Sequence, residues 1–240
     1  MLSDRQSQLI SAIIQEHIKN AEPVGSSCIT IKYNLDVSAA TIRNEMAVLV
    51  EEGFLDKPHF SAGRVPTALA FRHFVNHLMQ EESLPVVDEV SIKQRLWEKR
   101  QDPVHFLQQA VYDLARATQG LGLVYLNNEE FYFSGMASLL DHSEFYNIDL
   151  TRTVLRLLDE PEMLGIIFQQ ISAERNGGIL LGHELGMESL SPCGLVFARI
   201  QPTRGKQGFL SVLGPMRMDY SHVIPRVKYF QKLVNELMTG

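Results

Sequence analysis

The stretch from Leu35 to Arg72 decides the fold of the N-terminal part, and it reads LDVSAATIRNEMAVLVEEGFLDKPHFSAGRVPTALAFR. A short polar turn leads into a helical pattern, which Gly53 ends. Two short extended segments, residues 54–57 and 64–65, then flank a Ser-Ala-Gly-Arg loop, and a further helix is expected after Thr67, which can cap it. This order of elements predicts a winged helix-turn-helix, a module that reads DNA.

The helix after the turn carries the first group of candidate site residues. Ser38 can cap it, and it is expected to run to about Glu52. A recognition helix contacts bases near its exposed N-terminal end, where Arg43 and Asn44 project. Arginine can bind guanine O6 and N7, and asparagine can bind adenine N6 and N7. Ser38 and Thr41 are candidates for phosphate contacts, because the N-terminal N–H groups and the helix dipole favour anions. The alternative is that Arg43 and Asn44 are merely solvated helix residues.

The buried stripe of this helix is predicted to contain Ile42, Met46, Leu49 and Val50.

The predicted wing carries the second group of candidates. Its charged and polar residues are expected to contact phosphates or the minor groove, which fixes the register of the protein without reading sequence. The alternative is a charged hairpin on a solvated edge. Arg72, in the following helix, either reaches the DNA backbone or pairs with Glu81 or Glu82. The candidates on the wing itself are Lys57, His59, Ser61 and Arg64.

Two further helices are predicted before the turn. The first spans residues 3–20, is capped by Ser3 and places isoleucines and Leu9 on one face. The second runs from residue 26 to about residue 33, and either Ser26 or Ser27 is expected to cap it. Pro23 and Gly25 separate the two helices. Three helices before a hairpin complete the predicted DNA-binding module.

The charge of the chain argues against indiscriminate binding of nucleic acid. The net charge is −6, and residues 1–82 hold seven Lys/Arg against ten Asp/Glu, a net charge of −3. The distribution is uneven, because no acidic residue occurs between Lys57 and Met79. A local basic face on an acidic protein favours specific over nonspecific DNA binding.

Composition excludes several other classes of protein. The content of 45% hydrophobic and 21% charged residues is ordinary for a soluble globular protein. There is no apolar run of roughly 18 residues, so no membrane span is expected, and the N-terminus has no secretory pattern. Cys28 and Cys193 are therefore expected to be reduced thiols in a cytoplasmic protein. Phosphate-binding loops, nucleophile elbows and zinc motifs are all missing, so neither catalysis nor a metal or other cofactor is predicted.

The rest of the chain predicts an α+β domain. Residues 81–90 read as a linker containing Pro85, and residues 91–119 as one or two helices broken near Asp102 and Pro103. The predicted domains are 1–82 for DNA binding, 83–119 as a helical linker and 120–240 for regulation and dimerisation. Strands mixed with helices on one sheet are typical of sensor-like domains. The strand candidates are residues 121–126, 131–135, 177–185, 193–200 and 208–214, and the helix candidates are residues 136–140, 151–158, 161–172 and 222–238.

Several motifs resemble one known family. PVGSS, SAATIRNEMAVL, EEGFL and PHFSAGRVPT at one end, and SGMASLLDHSEF, GHELGMESL and GPMRMDYSHVIP at the other, closely resemble the HrcA heat-shock repressors. The resemblance implies a winged helix-turn-helix followed by a GAF-like α+β domain with an inserted dimerisation segment. It also implies a homodimer that binds double-stranded DNA at an inverted-repeat operator, called CIRCE, upstream of chaperone genes. The GroE chaperonin is implied as the partner that maintains the active form.

This chain departs from the family pattern at three places. Between Tyr125 and Phe131 only Leu-Asn-Asn-Glu-Glu is present, where family members carry a long stretch, so a shortened member lacking most of the insertion is predicted. Phe60 and Ala70 stand where the family tends to have a small polar residue and glycine. In the GPMRMDY segment, Arg217 is expected to pair with Asp219 or to contact a ligand.

Two other functions are compatible with this sequence. The second domain could sense a small ligand and use the winged helix as its output, since GAF-like pockets often bind small molecules. Alternatively, the winged helix could serve protein contact only.

Overall fold

The computed structural model describes residues 2–33, 35, 37–59, 63–126, 130–203 and 206–238. The chain divides into two compact units, Met1–Gln80 and Glu81–Gly240. Among the described residues, no helix is both long enough and apolar enough to cross a membrane.

The described part of the first unit contains four α-helices, and three of them start at a side-chain cap. Ser3 caps α1 through a capping box, because its hydroxyl accepts from the backbone N–H of Gln6 at 3.2 Å and the Gln6 side chain accepts from the N–H of Ser3 at 2.8 Å. Thr67 caps α4 by accepting from the N–H of Ala70 at 3.3 Å. A π-helical turn, Phe74–Leu78, continues α4. The helices are α1 (Asp4–Asn20), α2 (Ser26–Lys32), α3 (Ala39–Glu51) and α4 (Ala68–His73).

The cap expected for α2 is wrong. Gly25, rather than Ser26 or Ser27, occupies the N-cap position, and no side chain caps the helix. The carbonyl of Gly25 accepts from the N–H groups of Cys28 and Ile29 at 3.1 and 3.3 Å, so the first turn closes one residue earlier. Ser26 is then inside the helix and is buried.

The core of the first unit confirms the predicted helical stripes. The buried face of α3 is the one expected, except that Val50 is only half-buried. On the helix after the wing, Phe71 and Phe74 are buried, while Val75 and Leu78 are half-buried. The buried apolar side chains of this core include Leu9, Ile10, Ile13, Ile14, Ile29, Ile42, Met46, Leu49, Leu55, Phe71 and Phe74.

The wing is a short antiparallel hairpin. Its strands β1 (Leu55–Asp56) and β2 (Val65–Pro66) pair with Leu55 opposite Pro66. Val24 forms an antiparallel β-bridge with Arg64, next to this hairpin. Its N–H donates to the carbonyl of Arg64 at 2.8 Å, and the Arg64 N–H donates to the carbonyl of Val24 at 2.9 Å. A Cβ on Gly63 would lie 2.5 Å from the backbone carbon of Val24, so only glycine fits this approach. The hairpin is thereby fixed to the segment between α1 and α2.

The second unit is built on one antiparallel five-stranded sheet. The strand order is β4-β3-β7-β6-β5, so the first strand of the unit, β3, lies between β4 and the last strand, β7. The expected strand over residues 177–185 ends at Leu181 and continues as a 3₁₀ turn, Gly182–Leu185. All five predicted strands are present: β3 (Leu121–Tyr125), β4 (Phe131–Ser134), β5 (Gly177–Leu181), β6 (Cys193–Thr203) and β7 (Lys206–Pro215).

Helices cover both faces of this sheet. On β3, Leu121 and Leu123 pack into a core with α8 and α9, whereas a Cβ at Gly122 would lie 2.9 Å from the carbonyl oxygen of Val111 in α6. Helix α10 packs on β6 and on α6. The helices of this unit are α5 (Val86–Lys99), α6 (Pro103–Thr118), α7 (Met136–Leu139), α8 (Ile148–Asp159), α9 (Pro161–Gln169) and α10 (Tyr220–Met238). This arrangement is the GAF-like α+β fold that was expected.

The helices of the expected linker, α5 and α6, belong to the second unit. Helix α5 begins at Val86, inside the stretch expected to be a linker, because Pro85 at its N-cap and two acidic residues in its first turn favour a helix start. The break near Asp102 and Pro103 is confirmed, and Asp102 caps α6 by accepting from two backbone N–H groups at 3.1 Å.

Candidate nucleic-acid interface

The N-terminus of α3 is held by two hydroxyl groups. Ser38 Oγ accepts from the backbone N–H of Thr41 at 3.2 Å, and the two hydroxyl oxygens lie 3.0 Å apart. Ser38 is exposed and Thr41 is half-buried. The helix therefore begins where the sequence predicted, with both hydroxyls at the end that attracts anions.

The side chains proposed for base readout lie on the exposed face of this helix. Arg43 and Asn44 are exposed, and Ala40 and Ala47 continue the same face at helical spacing. Among the described residues, neither Arg43 nor Asn44 has a hydrogen-bond or ion-pair partner within the protein. Their donors and acceptors are therefore available to a molecule outside the chain.

Acidic residues make one end of α3 more favourable than the other for contact with an anion. Glu45 is neutralised by an ion pair with Arg5 of α1. Glu51 and Glu52 are exposed at the C-terminal end. Because exposed carboxylates repel phosphates, the N-terminal half that carries Arg43 is the favourable end for contact.

The wing brings two of the predicted cations together. The register pairs Asp56 with Val65, and Lys57 and Arg64 are the next residues toward the loop on the two sides of the hairpin. Both residues are half-buried, and His59 is exposed at the end of the first strand segment. Positive charge is thereby concentrated at the base of the wing. Ser61, together with Phe60, lies outside the described residues.

Arg72 lies apart from the wing strands, in α4, where it is half-buried. Its two sequence-predicted partners have other ion pairs: Glu81 pairs with Lys228, and Glu82 lies 3.5 Å from Nδ1 of His222.

A buried carboxylate that sequence reasoning missed joins α1 to α2. Glu16 of α1 is 2% exposed and accepts from Lys32 Nζ, from Tyr33 Oη at 3.1 Å and from Cys28 Sγ at 3.5 Å. The hydrogen bond from Lys32 holds the pKa of Glu16 below its ordinary value, against the effect of burial. Three donors from α2 and its C-cap thus fix α2 on α1. The available signal was an acidic residue on the apolar stripe of α1, seven positions after Leu9 and three after Ile13.

A second missed group is the imidazole of His73, which follows Arg72. Its ring centroid lies 5.7 Å from that of Phe54 and 4.9 Å from that of His77. Burial lowers the pKa of His73, and the neighbouring His77 lowers it further. The neutral imidazole is therefore the form that packs against Phe54 and His77.

In the second unit, the expected pair between Arg217 and Asp219 is wrong. Arg217 instead donates to Glu144 through Nε at 2.7 Å and through Nη2 at 3.1 Å. Asp219 accepts from the N–H of Ser221 at 3.1 Å, at the start of α10. The bidentate geometry of an arginine fork favours the distant carboxylate over a neighbour two positions along the chain. Both cysteines are free, as expected.

A family model described as the HrcA protein C terminal domain matches residues 59–224. The heat-inducible transcription repressor HrcA of Carboxydothermus hydrogenoformans is 24% identical, and the alignment covers 99% of this chain and 98% of that protein. The repressor of the same name from Desulforudis audaxviator is 25% identical, with coverage of 99% and 98%.

The alignment also bears on the length of this chain. The comparison with the Carboxydothermus protein spans 338 positions, whereas this chain has 240 residues, so at least 98 aligned positions have no counterpart here. The prediction of a shortened member is thereby confirmed.

One solved structure shares the fold along the whole chain. A crystal structure of a hypothetical protein at 2.2 Å resolution superposes with a TM-score of 0.79 at 17% sequence identity, and it covers 100% of this chain and 99% of that one.

Proposed function

This chain belongs to the HrcA family, and we propose that it is a transcriptional repressor of heat-shock genes that binds an inverted-repeat operator as a dimer. One observation carries the proposal most directly: the partner-free side chains of Arg43 and Asn44 at the anion-attracting end of α3. The curated relatives are named as heat-inducible transcription repressors, and those names describe regulators rather than enzymes.

The proposed contacts divide into base readout and positioning. Arg43 and Asn44 would read base edges in the major groove, because both offer paired hydrogen-bonding atoms. Ser38 and Thr41 would bind phosphate at the helix N-terminus. The wing residues Lys57, His59, Ser61 and Arg64, together with Arg72, would contact the DNA backbone or the minor groove and set the register.

The dimer follows from the symmetry of an inverted repeat. Two copies of α3 would enter successive major grooves roughly 34 Å apart, or a multiple of that distance, along one face of the duplex. A two-fold dimer presents its reading helices with that symmetry.

The test is selection of operators from a random pool of duplex DNA by the full chain at a stated salt concentration. We expect recovered sequences with two half-sites in inverted orientation at one preferred spacing. Selection repeated with Arg43→Ala should lose the preference at one position in each half-site. Recovery of unrelated sequences by the folded wild type would overturn the proposal and favour a winged helix used only for protein contact.

The chaperonin is the proposed regulatory partner. GroE would maintain the active repressor, and misfolded protein would occupy GroE during heat stress, so that repression falls. Adding GroE to a partly inactive preparation should raise the fraction of protein that binds the selected operator. An unchanged active fraction across a range of GroE concentrations would contradict the proposal that GroE maintains the active repressor.

A small-ligand-responsive regulator is the second candidate function. A cavity of about 250 Å³ lies beside the sheet of the second unit and is lined in part by Tyr125, Phe168, Arg199 and Phe209. This volume is below the roughly 300 Å³ at which small-molecule pockets usually begin. A thermal-shift screen against metabolites tests the candidate, and a ligand that raises the melting temperature and alters operator binding would favour it.

A further inference from the structure

A larger groove lies elsewhere in the second unit, among α5, α6 and α10. Its volume is about 620 Å³, which is in the range of roughly 300–1,000 Å³ typical of small-molecule sites. Polar and charged side chains dominate its lining, which includes Asp88, Arg95, Tyr112, Arg116, His222 and Arg226.

Arg226 is the unusual member of this set, because its guanidinium is buried without a counter-ion. The residue is 6% exposed, and Nη1 donates to the backbone carbonyl of His222 at 2.7 Å. Within the described part of the chain, no carboxylate lies within ion-pair distance of it. Burial lowers the pKa of Arg226, and Glu82, Asp88 and Asp219 act from farther away in the opposite direction. Arginine nevertheless stays charged in proteins, so a positive charge faces the groove.

The neighbouring arginine on α5, in contrast to Arg226, has a counter-ion. Arg95 Nε donates to both oxygens of the buried Asp113, at 3.0 and 3.3 Å. Asp113 is therefore already neutralised. Arg116 lies over the ring of Tyr112 at 5.7 Å and, among the described residues, has no carboxylate partner. Two guanidinium groups in one groove thus lack a counter-ion.

The local backbone helps to form this groove. Pro225 has no N–H, so it cannot donate to the carbonyl of Ser221 one turn earlier in α10. That carbonyl instead accepts from the backbone N–H of Glu82 at 2.9 Å. The segment before α5 is thereby attached to α10, and Leu84, which is 7% exposed, lines the groove beside them. The same turn of α10 therefore positions both a wall of the groove and Arg226.

We propose that this groove binds a small organic anion, whose carboxylate or phosphate group is neutralised by Arg226 and Arg116. The ligand would supply the counter-charge that the protein omits, through charge-assisted hydrogen bonds to a planar donor fork. Asp88, on another wall, would accept a hydrogen bond from a hydroxyl group of the ligand. The site is independent of the DNA-binding residues and of the smaller cavity beside Phe168.

The test compares the full-length protein with two variants by thermal shift and calorimetry. The probes are inorganic phosphate and citrate, each measured against sodium chloride at equal ionic strength. We expect either probe to raise the melting temperature of the wild type, and the tighter probe identifies the acidic group preferred. Arg226→Met should weaken probe binding about tenfold or more, and Arg116→Gln should weaken it to a smaller extent.

The matched control is Arg152→Gln, which removes an exposed arginine of α8 that pairs with Asp149 at 2.7 Å. This variant should bind the probe as the wild type does. Equal binding by wild type, Arg226→Met and Arg116→Gln would overturn the proposal, as would a wild type that responds to neither probe. If Arg226→Met fails to fold, Arg116→Gln alone decides the question, since Arg116 is exposed and its loss leaves the core intact.

Discussion

The two units differ in whether a buried charge has a counter-ion. In the first, the carboxylate of Glu16 is surrounded by donors from Cys28, Lys32 and Tyr33. In the second, Arg226 is 6% exposed, and among the described residues its guanidinium has only a backbone carbonyl as its partner. A matched buried charge fixes structure, whereas an unmatched one destabilises the empty protein and favours a ligand of opposite sign.

The two units also differ in where they place the groups that are available to other molecules. The first unit keeps its unmatched groups, Arg43 and Asn44, on the surface of α3, where a large partner can reach them. Its buried carboxylate, Glu16, is neutralised by Lys32, which fixes α2 on α1. The second unit places its unmatched charge in a groove of about 620 Å³, a volume that suits a small molecule.

The largest effect is expected from Glu16→Ala, which removes the buried carboxylate that has its donors in the first unit. Removing the carboxylate leaves Tyr33 and Lys32 without their acceptor, so the first unit should lose about 3 kcal/mol of stability. Hydrogen exchange in α1 and α2 would measure the loss. Trp97, the single tryptophan of the chain, lies in α5 and reports the second unit, whose transition should be unchanged. The control Glu51→Ala, at an exposed position near the end of α3, should change the stability by less than about 0.5 kcal/mol.

Arg43→Ala tests the unmatched group on the surface. We expect a loss of about 2 kcal/mol in specific operator binding and relaxed base preference at one position per half-site, because a bidentate contact to a base is removed. Titration of the selected operator and of single-base variants would measure it. Lys19→Ala, which removes an exposed positive charge from α1, is the control and should keep the base preference. Wild-type discrimination by Arg43→Ala would exclude Arg43 from base readout.

The sequence specified most of the first unit, because its signals act within a few residues. Ser38 and Thr67 cap helices by reaching N–H groups three positions away, and the apolar spacing identified the buried faces. The exposed position of Arg43 and Asn44 follows from the same spacing. The cap of α2 was missed because the bridge between Val24 and Arg64 fixes the chain just before Gly25, and that contact joins residues far apart in sequence.

In the second unit the strands were predictable but their order was not. Pairing of β3 with β7 joins Leu121 to Leu213, and local pattern carries no information on that choice. The same limit explains the wrong partner for Arg217, since Glu144 lies 73 positions away. The burial of Arg226 depends on the packing of three helices, and so no motif indicated it. Whether a buried charge has a counter-ion is therefore decided by the tertiary structure.

Acid should weaken the first unit through Glu16. Its folded pKa is lowered, so its contribution to stability is present above the ordinary value of 4.5 and is lost as the pH falls from there through the folded pKa. Glu16→Gln should flatten this part of the pH dependence, because it cannot titrate. Denaturant titrations followed by circular dichroism between pH 6 and pH 3 would show it. Parallel curves for wild type and variant would contradict the assignment.

Arg226→Met should have an effect of the opposite sign to Glu16→Ala. Replacing an unmatched buried charge with an apolar side chain of similar length should stabilise the ligand-free second unit by about 1 kcal/mol. Denaturation followed by the emission of Trp97 would measure the gain. A loss of stability in the absence of any anion would show that Arg226 is matched after all, and the contrast between the units would disappear.

The smallest effect is expected at the wing, where the proposed contact of Lys57 with DNA does not read sequence. Lys57→Ala should weaken binding to all sequences alike and reduce the slope of log K against log salt by about one unit, because one fewer counter-ion is released from the DNA. Salt titrations with the selected operator and with a scrambled duplex would measure both slopes, and Lys19→Ala should leave them unchanged. A change confined to the selected operator would instead assign Lys57 to sequence reading. An unchanged slope would remove Lys57 from the phosphate contacts, and the basic face of the first unit would then have to be carried by Arg64 and Arg72.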